Sequence, residues 1–221
     1  MRLEPASIIR LAVISLERYG IIMAANMQPA PNTSIVMEKA ISDNSRDEEG
    51  YSIKFREDPI LLDPRTDKLG ARLVINLEKL YLSIKKLGLK VSDVNEYYNY
   101  SHELGIAQID TNNLQDKIFG IECNFEELNG IDFRKGCYVG QENTARIKLK
   151  DKLNKRLFAI KVLDGEINSD EITSENKNLG KLLINNKNPF ALLKLEDKSF
   201  NFDKGLKCGD AKIKVLRPSW I

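Results

Sequence analysis

The chain has 221 residues, 42% hydrophobic and 30% charged, which is the composition of an ordinary globular protein with one large or two smaller domains. Its 34 basic and 32 acidic residues give a formal charge of +2, too balanced for a nucleic-acid-binding stripe or a polybasic membrane anchor. Three cysteines without a Cys-x-x-Cys pair and a single histidine argue against a disulfide scaffold and a self-sufficient metal site, so we predict a reducing, cytoplasmic location.

The N-terminal part holds an apolar segment at residues 8–25 that is interrupted by charged side chains. The longest uncharged run in its first half, residues 11–16, is too short for a signal-peptide core or a membrane span. We predict an amphipathic or buried helix here, followed by a strand at residues 20–23. A proline-containing loop at residues 26–34 and a polar turn at residues 43–50 are expected next.

Two strands and an amphipathic helix are predicted in the next part of the chain. Residues 51–55 alternate apolar and polar side chains, and residues 71–75 form a second strand-like run. Asp-Pro pairs at positions 58–59 and 63–64 predict turns between these two strands. Residues 76–87 predict a helix, because large apolar side chains recur there at helical spacing on one face. These side chains are Leu77, Leu80, Tyr81, Ile84 and Leu87.

A second helix is predicted from about residue 94 to residue 104. Asp93 and Glu96 are spaced as a capping box, and Gly105 marks the end. The only histidine, His102, lies on this helix without a cysteine or another histidine near it in sequence. We therefore interpret His102 as a surface or packing residue rather than a metal ligand.

Glu122 and Cys123 lie in a stretch of mixed polarity at residues 111–129. A buried carboxylate needs a paired donor, because burying a charge alone is very costly. The plain interpretation of Glu122 is therefore a helix-capping or ion-pairing acid. Cys123 is interpreted as a small core side chain.

Residues 134–146 read Arg-Lys-Gly-Cys-Tyr-Val-Gly-Gln-Glu-Asn-Thr-Ala-Arg and show no apolar period. Gly136 and Gly140 bracket Cys137, so the backbone here can turn sharply or approach another group closely. Residues 141–147 predict the first turns of a short helix, which places the thiol just before a helix N-terminus.

Two cations, Arg134 and Lys135, precede Cys137 in this segment. Oriented backbone N–H groups and nearby cations lower a thiol pKa and make the nucleophilic thiolate available. The alternative is an inert, buried cysteine in a glycine-flanked turn, and the residue pattern by itself leaves both interpretations open.

The sequence pattern changes near residue 151, within a charged run at residues 148–155. Short strand-like runs separated by turn clusters predict a small β-barrel of about 65 residues. The predicted strands are residues 156–162, 181–184, 190–195 and 211–216.

The segment Lys-Gly-Cys-Tyr-Val-Gly-Gln-Glu at residues 135–142 resembles the signature of the YgfZ family of folate-binding proteins. That family is related in fold to the aminomethyltransferase, or T-protein, of the glycine cleavage system. Further resemblance lies in Asp63-Pro-Arg, Leu69-Gly-Ala-Arg72, Leu104-Gly-Ile, residues 125–133 and the C-terminal Arg-Pro-Ser-Trp-Ile. Together these segments span about residue 50 to residue 221.

The resemblance implies an α+β fold. We expect a T-protein-like folate-binding body at residues 51–150, a small β-barrel at residues 151–221 and a divergent segment at residues 1–50. The body is then N-terminally incomplete relative to the family.

The resemblance also implies an accessory role in assembling or repairing iron–sulfur clusters in client enzymes, rather than a conventional enzyme. Cys137 would be the functional, catalytic thiol and a metal ligand only in a cluster shared with a partner. Glu122 would hold the pterin of tetrahydrofolate. The loop around the thiol would be shaped by Lys135, Gly136, Tyr138, Gly140, Gln141, Glu142 and Arg146. The implied partners are iron–sulfur carrier proteins and client enzymes, with no nucleic acid and no membrane.

Two other functions are open at this point. A folate-dependent aminomethyltransferase needs an acid–base group near the reacting folate nitrogens, and no local constellation supplies one. An interaction module with an inactive thiol and pocket is the other. The shared-cluster hypothesis fits a solitary thiol, because a cubane cluster usually takes four thiolate ligands.

Overall fold

The chain consists of two compact units, Met1–Tyr97 and Tyr98–Ile221, in a computed structural model. The structure describes residues 10–16, 19–25, 52–55, 58–76, 82, 90–134, 136, 142–149, 153–175, 177–195 and 200–221. The barrel therefore shares its compact unit with the segment that precedes it. The domain boundaries predicted near residues 50 and 151 stay predictions.

The first unit contains a six-stranded sheet in the order β3-β4-β5-β2-β1-β6. The strands are β1 Arg10–Leu16, β2 Tyr19–Ala25, β3 Ser52–Phe55, β4 Asp58–Leu62, β5 Ala71–Asn76 and β6 Lys90–Ser92. Strand β6 pairs with β1 in parallel, and the other neighbours are antiparallel. A short 3-10 helix, Asp67–Leu69, lies between β4 and β5. The predicted strands at residues 20–23, 51–55 and 71–75 are confirmed.

The helix predicted within residues 8–25 is wrong, because strands β1 and β2 pair there as an antiparallel hairpin. Val13 lies opposite Ile22 and Ile14 opposite Ile21, so β-branched residues occupy paired positions in the register. A short apolar run does not distinguish a buried helix from a strand by periodicity. The β-branched content is the signal that favours the strand.

Strand β4 begins at the Asp58-Pro59 pair, where a turn was predicted. Pro59 lies opposite Lys54 of β3, whereas the register between β4 and β5 starts only at Ile60. A proline is tolerated here because its missing N–H falls outside the β4–β5 ladder.

The amphipathic helix predicted at residues 76–87 lies largely outside the described residues. Asn76, the first residue of the predicted helix, ends strand β5, and Leu82 is helical and exposed. The predicted loops at residues 26–34 and 43–50 also lie outside them.

Helix α1, Val94–Glu103, confirms the prediction for residues 94–104. The Asp93 carboxylate accepts the backbone N–H of Asn95 at 2.7 Å and so caps the first turn. The Glu96 carboxylate accepts the Ser92 hydroxyl. Gly105 follows the helix with φ +78°, a left-handed conformation that glycine adopts readily.

The second unit is built around a closed antiparallel barrel in the order β10-β7-β12-β11-β8-β9. The strands are β7 Lys155–Asp164, β8 Glu171–Ser174, β9 Lys177–Ile184, β10 Phe190–Lys194, β11 Leu206–Cys208 and β12 Ala211–Val215. The expected C-terminal β-barrel is thus confirmed. Strands β8 and β11 were missed because three or four residues are too few to show a period.

The barrel has an apolar interior and a second apolar surface on its outer wall. The interior includes Phe158, Ile160, Ile172, Leu179, Leu193 and Ile213. On the outside, the side chains of Leu157, Ala159, Ile184 and Phe190 pack against Leu114, Ile118 and Cys123. Strand β7 is consequently buried on both faces over four successive residues. The segment from residue 98 to 134 therefore covers one side of the barrel.

Polar contacts fasten this covering segment to strand β7. The Asn124 side-chain amide donates to the Leu157 carbonyl at 2.8 Å. Arg156 donates to the Asn124 side-chain oxygen at 3.1 Å and forms an ion pair with Glu127. A short 3-10 helix spans Thr111–Leu114, and helix α2 spans Glu142–Leu149. No helix in the described part of the chain is long and apolar enough to span a membrane.

Candidate functional site

Of the signature at residues 135–142, the structure describes only Gly136 and Glu142. Lys135, Cys137, Tyr138, Gly140 and Gln141 lie outside the described residues. The geometry predicted for the thiol, including its position relative to the helix N-terminus, therefore stays a prediction.

Helix α2 forms the C-terminal end of the signature and confirms the short helix predicted for residues 141–147. Arg146 Nη2 lies 2.5 Å from Glu142 Oε1 in an i,i+4 ion pair, and both side chains are exposed. Such a pair contributes only about 0.3–0.5 kcal/mol to stability. These two predicted loop residues thus contact each other across one turn of the helix.

Lys148 links the last turn of helix α2 to the segment before the signature. Its Nζ lies 2.5 Å from a carboxylate oxygen of Glu126 and 5.4 Å from the ring centroid of Phe133. The ammonium over the ring is a cation–π contact. Lys148 therefore ties helix α2 to two residues of the segment that precedes the signature.

The N-terminal end of the signature is open to solvent. The Arg134 side chain is 93% exposed, and its Nε lies 3.4 Å from the Asp132 carboxylate. The charge of Arg134 is therefore exposed to solvent screening and paired, and its effect on the Cys137 thiol stays a prediction. Gly136 is exposed, and no described atom lies within 4 Å of the position a Cβ would take.

Glu122 acts as a turn cap. Its Oε2 accepts the backbone N–H of Phe119 at 3.0 Å, and its backbone carbonyl accepts the N–H of Leu157 at 2.9 Å. This matches the plain interpretation of a capping acid. Its role towards a pterin stays a prediction.

The two described cysteines are protonated, packed thiols. Burial, and secondarily the charge of Glu122, raises the pKa of Cys123 to about 11. Cys208 is fully buried, its Sγ donates to the Ser169 carbonyl at 3.1 Å, and burial raises its pKa. The interpretation of Cys123 as a core side chain is confirmed. Neither thiol is suited to nucleophilic or metal chemistry at neutral pH.

His102 is a packing residue, as predicted. Its Nε2 lies 3.0 Å from the Pro189 carbonyl, and its ring meets the Phe190 ring edge-on at 5.2 Å. Burial lowers its pKa, so the ring is neutral at physiological pH. Among the residues that the structure describes, no group of three or more His, Cys, Asp or Glu side chains could hold a metal ion.

Among the described residues of the first unit, a polar cluster gathers around Asp63, whose side chain is 1% exposed. Arg65 donates from Nε to Oδ1 at 2.9 Å and from Nη2 to Oδ2 at 2.7 Å. Arg72 donates to Oδ2 from Nε at 2.9 Å and from Nη2 at 2.7 Å. Arg65 Nη2 also reaches the hydroxyl of buried Tyr97 at 3.4 Å.

This cluster carries one more positive than negative charge. Burial alone would raise the pKa of Asp63, but hydrogen bonds and charge from Arg65, with the charge of Arg72, outweigh burial and hold it below its usual value. Burial raises the pKa of Tyr97, which keeps the phenol neutral. Asp63 is saturated with donors and cannot act as a general base, so we interpret the cluster as a clamp.

The Asp-Pro-Arg triplet, which above supports the family resemblance, is also a sequence signal for the clamp. The Asp63 carboxylate accepts the backbone N–H of Arg65 at 3.0 Å, an Asx-type turn that an Asp-Pro-Arg triplet favours. Arg72 lies opposite Leu61 in the β4–β5 register, beside the end of β4. Pairing the two strands would have placed both arginines near Asp63.

Comparison with known proteins gives two findings. Residues 154–221 match the family model of the CAF17 C-terminal β-barrel domain. The chain is 32% identical over 117 residues to the mitochondrial iron–sulfur cluster assembly factor IBA57 homolog of Dictyostelium discoideum, covering 52% of this chain and 29% of the relative. It is similar to the IBA57 factors of mouse, 32% over 103 residues (47% and 28%), and human, 32% over 105 residues (48% and 29%). The chain thus spans less than a third of the length of these curated relatives.

The comparisons correct one prediction. The relatives from Dictyostelium, mouse, human and Neurospora crassa are all named as mitochondrial proteins. The predicted cytoplasmic location is therefore wrong. Its basis, the absence of a disulfide framework, indicates a reducing compartment, and the cytoplasm is only one such compartment.

Proposed function

We propose that this chain acts in the assembly or repair of iron–sulfur clusters, in a mitochondrial setting, as a relative of the YgfZ family. The observation that carries the proposal is its 32% identity over 117 residues to an iron–sulfur cluster assembly factor. The match of residues 154–221 to the barrel-domain family model supports the proposal, because a family model tests relatedness separately from pairwise identity.

Cys137 is the thiol we assign to the chemistry. Cys123 and Cys208 are packed and protonated, which leaves Cys137 as the remaining cysteine of the three in the chain. One thiolate supplies a single ligand, whereas a cluster usually takes four. The cluster is therefore cargo, and its other ligands come from carrier proteins or client enzymes.

The loop residues around Cys137 have a supporting role in this proposal. Lys135 and the backbone at Gly136 and Gly140 would favour the thiolate. The Glu142–Arg146 pair and the Lys148 contacts hold the helix that follows the loop.

Tetrahydrofolate binding belongs to the proposal through the family resemblance alone. Glu122 accepts the Phe119 N–H on one carboxylate oxygen, and an ionised carboxylate has about four acceptor positions in all. The turn-capping contact therefore leaves acceptor capacity for a pterin. No step of the proposed chemistry depends on the folate, and an aminomethyl-transfer assay should give no product.

Reconstitution with iron and sulfide tests the proposal. The full chain alone should form no stable cluster, whereas the chain mixed with an A-type carrier protein should show cluster absorbance that depends on both proteins. Cys137→Ala should abolish the joint signal, and the matched control Cys123→Ala should retain it. A stable cluster on the isolated monomer, or an unchanged signal from Cys137→Ala, would overturn the shared-ligand assignment.

A further inference from the structure

Four lysines form one continuous surface on the outer wall of the barrel, which we name the lysine face. They are Lys161 on β7, Lys212 and Lys214 on β12, and Lys207 on β11. All four are exposed, and each has at least one sequence neighbour in the barrel interior. Strand β12 lies between β7 and β11, so the four residues occupy three adjacent strands.

The lysine face places like charges directly opposite each other. Lys161 lies across from Lys214 in the β7–β12 pair, and Lys207 across from Lys212 in the β11–β12 pair. Directly opposed residues in an antiparallel pair have Cβ atoms about 4.5–5.5 Å apart, and like charges there are destabilising. Lys212 and Lys214 share one face of β12, so the two opposed pairs adjoin.

Nothing in the described structure neutralises these four charges. None of the four lysines forms an ion pair or side-chain hydrogen bond with a described residue, although Asp164 lies opposite Lys212 in the β7–β12 register. Two other lysines of the barrel are in ion pairs, Lys204 with Glu175 and Lys181 with Asp170. In a chain whose formal charge is only +2, the lysine face is a local segregation of charge.

We propose that the lysine face is a docking surface for an acidic surface of a partner protein. Exposed, complementary charge steers association and makes it sensitive to salt. Lysine side chains without aromatic or arginine anchors indicate a fast, transient encounter rather than a tight interface. The inference concerns the barrel wall and holds independently of the chemistry assigned to Cys137.

Two other occupants fit the lysine face less well. Single-stranded nucleic acid is bound with aromatic stacking platforms, and none of these four positions is aromatic. An anionic bilayer attracts basic residues but repels the carboxylate of Asp164, which lies within the face. A partner protein can instead match such a mixed pattern residue by residue.

The test uses the full chain with a polyglutamate peptide as the probe of an acidic protein surface. Backbone chemical shifts of the isotope-labelled chain should change at the four lysine positions and their strand neighbours as the peptide is added. Lys212→Gln combined with Lys214→Gln should weaken the affinity about tenfold or more at low salt, because two of the four cations are lost. The matched control, Lys155→Gln with Lys194→Gln, removes another directly opposed lysine pair from the same barrel and should change the affinity less than about twofold.

Three outcomes would overturn the proposal. The first is that polyglutamate does not bind the unmodified chain, and the second is that both double variants lose the same affinity. The third is that the chain binds a competitor more tightly than polyglutamate at the same ionic strength. The competitors are phosphatidylserine-containing vesicles, compared with pure phosphatidylcholine vesicles, and a short duplex DNA. Thermal melting checks that the double variant Lys212→Gln with Lys214→Gln is folded. Because the substitutions relieve repulsion between like charges, its melting temperature should be no lower than that of the unmodified chain.

Discussion

Arg72 donates two hydrogen bonds to Oδ2 of Asp63, from Nε at 2.9 Å and from Nη2 at 2.7 Å. This contact joins strand β5 to the residue that immediately follows strand β4. Asp63 is also tied through its backbone, since its N–H donates to the Gly70 carbonyl at 2.8 Å. The β4–β5 connection is therefore closed by one buried carboxylate.

Replacing Asp63 with Asn should destabilise the first unit by about 3–5 kcal/mol, because two partly buried guanidinium groups lose their counter-charge. Urea unfolding followed by circular dichroism measures the change. The control is Asp132→Asn, which breaks the exposed pair with Arg134 and should cost at most about 1 kcal/mol. Similar midpoints for the two variants would show that the clamp contributes no more than a surface pair.

The same carboxylate predicts a pH dependence. The pKa of Asp63 is lower in the folded state than its ordinary value, so its contribution is fully present above the unfolded-state pKa of about 3.9. The contribution is lost as the pH falls through the folded-state pKa. The stability difference between the unmodified chain and Asp63→Asn should thus be constant from neutral pH to about pH 5 and shrink below about pH 4. A difference that grows on acidification would contradict the assigned direction.

Alkylation with iodoacetamide at mildly alkaline pH should distinguish the three thiols. Cys123 and Cys208 have raised pKa values, about 11 for Cys123, so both should stay protonated and react slowly in the folded chain. If Cys137 is the functional thiol, it should be modified first, and peptide mass spectrometry reads each site separately. Denatured chain provides the control, in which all three should react alike. Equal rates for Cys123 and Cys137 in the folded chain would argue against the assignment.

Gly180 should not tolerate a side chain. A Cβ there would lie 2.1 Å from the Leu192 carbonyl oxygen on the neighbouring strand β10, and backbone cannot move aside cheaply. Gly180→Ala should therefore cost about 3 kcal/mol, at the upper end for overpacking. Gly136→Ala is the matched control, because its Cβ would meet no described atom within 4 Å and should change stability by less than about 0.5 kcal/mol. Thermal or urea unfolding of both variants settles the comparison.

Sequence reasoning succeeded where periodicity, capping and turn residues agreed. Residues 156–162 form an apolar, β-branched run and residues 211–215 alternate, both next to turn residues, and the structure has them in β7 and β12. Helix α1 was found from its capping residues and the glycine that follows it. The hairpin of β1 and β2 was not found, because a short apolar run fits two periods and tertiary pairing decides between them.

The candidate site was predictable only in part, because local sequence does not show which charges meet. Glu122 was expected to have a donor, and the donor proved to be the nearby N–H of Phe119. The clamp around Asp63 depends on strand pairing that brings Arg72 beside a residue nine positions earlier. Composition could not predict the lysine face, because the net charge sums over the whole chain. Which lysines lie together depends on the register of the strands.

Strand β7, buried on both sides, bears on how this protein can be dissected. A fragment that begins at residue 154, where the family match starts, would retain the closed barrel but leave Leu157, Ala159, Ile184 and Phe190 without their cover. Such a fragment exposes a contiguous apolar patch, which promotes self-association. The family match that starts at residue 154 thus marks an evolutionary boundary and not an autonomous folding boundary. A fragment meant to fold on its own needs to begin near residue 98.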